Sequence, residues 1–223
     1  MRCQPLRWAL HFKEAHLSCH LQVGRSKEVA FVFSCPGRYE EVAGEPAAKV
    51  TGKNLSNLLG KLGIALNKSG LDRRNITITN AWSRVEYEKK TGRSEANTSE
   101  IISEENIARL RSELIGVTEL VVCCGDKAKI SVDACGLSEN VKVIFMKHLS
   151  IRGLKSIKMD ISGAEILPAE AIKSQGDRRT KRRIRNDNTS KRLDVICRSI
   201  ANQIEGLNVT SQSTRASLRS AGV

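Results

Sequence analysis

The chain has 223 residues, 40% of them hydrophobic, enough for one core with further terminal segments. Its formal net charge of +13 is large for that size and points to a polyanionic partner, nucleic acid ahead of an anionic membrane surface. No run reaches the roughly 20 apolar residues of a membrane span, and residues 1–22 mix Arg7, Lys13, Glu14 and three histidines into their apolar positions, against a secretory signal and for a cytoplasmic protein without a membrane partner.

Residues 1–28 read as a covering segment, with Leu6, Trp8, Leu10, Phe12 and Leu17 available for packing. His11, His16, Cys19 and His20 are the nearest approach to a ligand cluster. No Cys-x-x-Cys pair accompanies them, so no metal is expected. The seven cysteines are odd in number and lack framework spacing, which predicts reduced thiols.

Val29–Phe33 is a short β-branched and aromatic run, the mark of a buried strand, and a stripe of Leu55, Leu58, Leu59 and Leu62 predicts a helix ending near Gly60 or Gly63. Between them lies a loop with Pro36, Gly37, Glu40, Glu41, Gly44 and Pro46. It is either a structural turn or a site, since ligands of open α/β sheets sit beyond the carboxyl ends of strands. Ile76–Asn80 is a second strand, and the polar stretch 83–105 reads as a long surface loop. Ile107, Leu110 and Leu114 mark an amphipathic helix. Leu120–Cys124 is a third strand, followed by a short helix with Asp126 as N-cap, and Val141–Met146 is a fourth. Strands alternating with helices predict an α/β fold, a three-layer α/β/α sandwich around a mainly parallel four-stranded sheet. The domain spans residues 29–206. Its basic segment, 173–192, holds Arg182 and Arg183 and is either solvated or in contact with phosphates. Leu193, Ile196, Cys197, Ile200 and Ile204 form a core helix between Ser190 and Gly206, and the Ser- and Thr-rich stretch 207–223 reads as a disordered tail.

Neither common nucleotide fingerprint is present. Thr51-Gly52-Lys53-Asn54 would need Gly at Ala47 and a hydroxyl at Asn54 to end a P-loop, and no G-x-G-x-x-G follows a strand. Four strand-end loops instead resemble those of one family. Pro36-Gly37-x-x-Glu40-Glu41-x-x-Gly44-x-Pro46, followed by Gly52 and Leu55, is similar to the G-E-A-P-G-x-x-E-D-x-x-G-x-P-F signature of the uracil-DNA glycosylase superfamily, above all its iron–sulfur branch. Ile78-Thr79-Asn80 resembles the strand ending in that family's base-reading asparagine. Gly125-x-x-Ala128 looks like a structural motif after the third strand, and His148-x-Ser150 with Leu154 is similar to the H-P-S-x-x-x-L loop that enters the minor groove.

The resemblance implies a DNA glycosylase that flips a base out of DNA and hydrolyses its N-glycosidic bond. It implies Glu40, Glu41 and His148 as catalytic residues, Pro36, Gly37, Arg38, Ala47 and Asn80 around the base, and Ser150 on DNA, while Arg152 and, by the charge of the basic segment, Arg182 and Arg183 are expected to hold the DNA backbone. There are departures. Ser34 and Cys35 replace the family's activating groups, Ala47 replaces the aromatic that stacks on uracil, Leu149 replaces a proline, and the cluster-binding cysteines have no counterparts, so no cofactor is expected. A roomier pocket at Ala47 favours a bulky modified base, such as glucosylated hydroxymethylcytosine in viral DNA, and hence antiviral defence. Uracil or damaged-base repair is the alternative enzyme, and a non-catalytic nucleic-acid-binding module is the alternative from another class.

Overall fold

The computed structural model describes the backbone of residues 18–220 and the side chains of residues 18–208. Residues 1–17, with His11 and His16, lie outside the described residues.

Four strands, β1 (Val29–Phe33), β2 (Thr77–Asn80), β3 (Leu120–Cys124) and β4 (Lys142–Met146), form one all-parallel sheet in the order β2-β1-β3-β4. Phe31 pairs with Ile78 on one side and Val122 on the other. Parallel strands joined by helical crossovers are buried on both faces, which is why β1 and β3 read as unbroken apolar runs. Alternate residues divide between two cores. Val29, Phe31 and Phe33 pack with α2 (Lys49–Ala65) and α9 (Arg178–Ser220), while Ala30 and Val32 pack with α5 (Glu104–Leu114) and α6 (Asp126–Cys135). The result is the three-layer α/β/α sandwich. Leu55, Leu58, Leu59 and Leu62 of α2 are fully buried, each contributing about 1.5–3 kcal/mol.

The remaining helices are short: α1 (Arg38–Ala43), α3 (Glu88–Thr91), α4 (Thr98–Ile101), α7 (Ile151–Lys155) and α8 (Ala169–Lys173). Several boundaries differ from the sequence reading. The stretch 83–105 is not a continuous loop but holds α3 and α4. Asp126 is the first residue of α6, with Gly125 at the N-cap, and α2 continues through Gly60 and Gly63 to Ala65. The largest difference is α9, which starts at Arg178, takes up most of the basic segment, and passes Gly206 to reach Ser220 where a disordered tail was expected. A helix tolerates a glycine at a cost of about 1 kcal/mol, so Gly206 alone does not end it.

Residues 18–28 run beside the sheet, where Gln22 forms an antiparallel bridge with Ile78 and so covers the edge of β2. From β1 the chain crosses to β2 on one side and then to β3 on the other, and this switch in the order of parallel strands opens a crevice at the carboxyl ends of β1 and β3. Among the described residues no helix is long and apolar enough to cross a membrane.

Candidate active site

That crevice holds a cavity of about 180 Å³. Phe33, Ser34, Cys35, Gly37 and Glu40 reach it from the loop after β1, Ala47 and Thr51 from the approach to α2, Asn80 from the end of β2, and His148 from the loop after β4. Ser94 and Glu95, both exposed, form part of its rim. Residues more than 100 positions apart thus meet at one edge because parallel strands deliver all their carboxyl ends to the same side.

His148 stands with its ring edge-on to Phe33, centroids 5.5 Å apart. Its Nδ1 accepts the Ser150 backbone N–H at 3.0 Å. Burial pushes its pKa down from 6.5 to about 4, so the imidazole is neutral near pH 7 and carries its proton on Nε2. No described residue accepts from Nε2, which leaves an uncharged N–H donor for whatever fills the cavity. The same burial makes stability depend on pH. The native pKa lies below the unfolded value, so stability is fully present above about pH 6.5 and declines as pH falls towards 4, by about 3 kcal/mol if this group acts alone. Chemical denaturation of the wild type and of His148→Leu at stepped pH checks this: the variant should lose that part of the slope.

The turn that carries His148 depends on a close approach. A Cβ on Gly153 would lie 2.1 Å from the His148 carbonyl oxygen, while the Gly153 N–H is bonded to the Ser150 hydroxyl at 3.2 Å. Gly153→Ala is therefore expected to shift the histidine loop and lower stability by about 2 kcal/mol, read as a lower melting temperature and altered His148 ring NMR signals.

Glu40 and Glu41 take different paths. Glu40 Oε2 accepts from Gly37 N–H at 3.1 Å and Oε1 from Ala48 N–H at 2.9 Å, so its carboxylate ties the start of α1 to the start of α2. Each oxygen keeps a further lone pair, and Glu40 still lines the cavity. Glu41 does not. It accepts from Tyr87 Oη at 3.1 Å and pairs with Lys90, whose hydrogen bond holds its carboxyl below the usual range. Arg38 is exposed on α1 and does not line the cavity, nor does Pro36, whose carbonyl accepts the Glu86 N–H at 2.9 Å. The Gly37 N–H is used by Glu40 and is not free for a ligand.

Ala47 is buried with φ 48°, a left-handed conformation that a side chain makes costly. Two contacts hold it there. Arg73 donates to the Ala47 carbonyl at 3.0 Å and to that of Pro46, and α2 presses against the same segment so tightly that a Cβ on Gly52 would lie 2.2 Å from Ala47 O. Arg73 was not singled out from sequence, since nothing marks a cation whose partners are backbone carbonyls 26 residues earlier.

Asn80 is buried, and in the amide orientation that suits its neighbours it donates to the His20 carbonyl at 3.2 Å and accepts from Cys35 N–H at 3.3 Å. One N–H and one lone pair remain for a ligand. Behind it, Arg109 donates to the Asn80 and Ala81 carbonyls and pairs with Glu113 at 2.6 Å, while Glu113 also accepts from Thr79 and meets His20. Cys35 is no nucleophile at neutral pH: burial and then the Glu95 charge push its thiol up to about 12, and Sγ faces the Ser94 carbonyl at 3.6 Å. Glu95 has no hydrogen bond or ion pair among the described residues, and as a free carboxylate on the cavity rim it was also missed from sequence.

The four residues expected on DNA lie outside the cavity. Ser150 caps α7, Arg152 is exposed on that helix, and Arg182 and Arg183 are exposed on α9; none of the three arginines forms an ion pair among the described residues. His20 and Cys19 remain of the amino-terminal cluster, and His20 is engaged by Ser18 and Glu113. No protein-family model matches the chain, and no curated protein matches it.

Proposed function

We propose that the protein is a monofunctional DNA glycosylase, acting on a base that carries a bulky modification. The observation that supports this reading best is the meeting of Glu40, Asn80 and a neutral His148 around one cavity at a strand-end crevice. Hydrolysis breaks the bond between C1′ and the base nitrogen, with the electron pair leaving on the base. The sugar becomes oxocarbenium-like, as in other glycoside hydrolysis. A carboxylate offsets that charge and orients water, whose oxygen bonds to C1′ and whose proton passes to the carboxylate and then to the departing base. Glu40 is the first candidate for this carboxylate and Glu95 the second. The His148 Nε2–H, uncharged and without a protein acceptor among the described residues, suits an oxygen of the base on which negative charge grows. Asn80 offers a donor and an acceptor to the base edge.

A cavity of about 180 Å³ lies below the roughly 300–1,000 Å³ of drug-sized sites, so it suits a single ring rather than a ring with an enclosed sugar. With Ala47 in place of an aromatic wall and the rim open at Ser94 and Glu95, a substituent can project outward. Hydroxymethylated or glucosylated cytosine of viral DNA fits that description, in keeping with a role in antiviral defence and with a cytoplasmic chain of +13. The small volume favours a second reading, removal of unmodified uracil.

Duplexes containing uracil, hydroxymethylcytosine or glucosylated hydroxymethylcytosine separate these readings through alkali-labile breaks at abasic sites. Breaks at the modified cytosines alone are the expected result. Breaks at uracil alone would favour repair, and binding without any breaks would favour a non-catalytic module.

A further inference from the structure

A second and larger cavity, about 830 Å³, opens between the first turn of α2, α7, α8 and the basic half of α9. Its volume lies within the range of small-ligand sites. It is separate from the small cavity, with no lining residue in common: Val50 lines this one and Thr51 the other.

Its lining has three kinds of group. Val50, Leu154, Ile166 and Ile172 give an apolar wall, the last three buried. Lys155, Lys158, Lys173, Arg185 and Arg192 bring five cations against two carboxylates, Glu165 and Glu170, and none of the seven forms an ion pair among the described residues. Arg192 uses only Nε, donating to the Ile157 carbonyl at 3.1 Å, so the rest of a half-buried guanidinium is left without a protein partner. Finally, Asn54 and Asn188 are buried amides whose Nδ2 groups donate to the Leu149 and Leu167 carbonyls, each at 2.8 Å. No described residue donates to either Oδ1. Arg185, Asn188 and Arg192, spaced i, i+3 and i+7, share one face of α9.

We propose that this cavity is a binding site for a nucleoside phosphate. Its base lies on the apolar wall with an N–H edge towards Asn54 and Asn188, and its phosphate meets Arg192 and the neighbouring lysines. An acyl-chain anion would satisfy the cations and the wall but leave both amide oxygens without donors. Adenine supplies what they lack, since an asparagine oxygen accepts from its exocyclic amine. The site does not depend on base excision in the small cavity. The nucleotide is either free or one unit of a nucleic-acid strand.

The test titrates the full chain with adenosine monophosphate and with a short oligodeoxyadenylate, following heat or fluorescence anisotropy. Two variants accompany the wild type: Ala169→Trp, which fills the cavity, and the double change Lys155→Gln with Lys173→Gln, which removes two exposed cations. Circular dichroism and melting establish that each variant is folded. Both variants should weaken binding about tenfold or more, through lost space in one and lost charge-assisted contacts in the other. Weakening for the mononucleotide alone assigns a free nucleotide, weakening for the oligonucleotide alone a strand, and weakening for both a site that takes either. The proposal is overturned if neither ligand binds the wild type, or if both bind both variants as tightly as the wild type.

Discussion

His148→Ala is expected to slow base release by about 10²–10³-fold, the usual effect of removing one donor to a developing anion, with DNA affinity unchanged. Three features make the effect large. Nδ1 is occupied by the Ser150 N–H, so the ring has one tautomer near pH 7, with its proton on Nε2. Burial holds the pKa near 4, so activity needs no loss of a proton from this group anywhere above about pH 5. The neighbouring Gly37 N–H is already bonded to Glu40, so it does not stand in for the imidazole. Single-turnover formation of abasic sites, beside binding of the same duplex, measures both terms. A loss confined to binding would make His148 a DNA contact, and an unchanged rate would remove it from the chemistry. His148→Gln retains an N–H donor on a longer, looser side chain and should recover part of the rate.

How much of this was legible depended on what kind of residue carried the signal. The strands were legible because a parallel sheet is buried on both faces, so VAFVF and LVVCC stand out as apolar runs. Their carboxyl ends then brought Glu40, Asn80 and His148 to one edge without further information. Glu41 shows the limit of such reading: one residue along a helix is a rotation of about 100°, enough to turn it from the cavity to Lys90 and Tyr87. The basic half of α9 was illegible as a helix because periodicity is read from apolar residues, and between Arg178 and Leu193 only Ile184 is aliphatic. Arg73 and Arg109 were illegible for another reason. Arg109 also pairs with Glu113 one turn on, but the contacts by which both arginines hold the site go to backbone carbonyls, which every residue has, so the sequence does not mark which carbonyls they reach.

The polar stretch 83–105 combines both problems, and it sets the second large effect: Arg93→Ala should destabilise the protein by about 2–3 kcal/mol and reduce base release as well. Glu86 is 4% exposed, a carboxylate inside the protein. It accepts from Arg93 Nε at 2.9 Å and Nη2 at 2.6 Å, and from Trp82 Nε1 at 3.0 Å, while Arg93 Nη1 reaches Glu100 at 2.6 Å. The backbone N–H of Glu86 meets the Pro36 carbonyl, so this network fastens the stretch to the loop after β1. Removing one member of a buried pair strands the other charge, at about 3–5 kcal/mol; Arg93 is partly exposed, which lowers the figure. Acid should weaken the wild type through the same pair. Arg93 first, through its hydrogen bonds, pulls the Glu86 pKa from 4.5 to about 2, so this stabilisation is complete above about pH 4.5 and is lost as pH falls towards 2. Urea denaturation at neutral pH and across that acid range measures both effects, and the variant should show the smaller acid dependence. Adding Glu86→Gln to Arg93→Ala should restore part of the stability, because a buried amide strands no charge. A single variant as stable as the wild type would mean that Glu86 is not held by this pair. Ser94 and Glu95 follow Arg93 directly onto the cavity rim, so a loosened network releases the wall that a base would meet, and turnover falls although Arg93 touches no substrate.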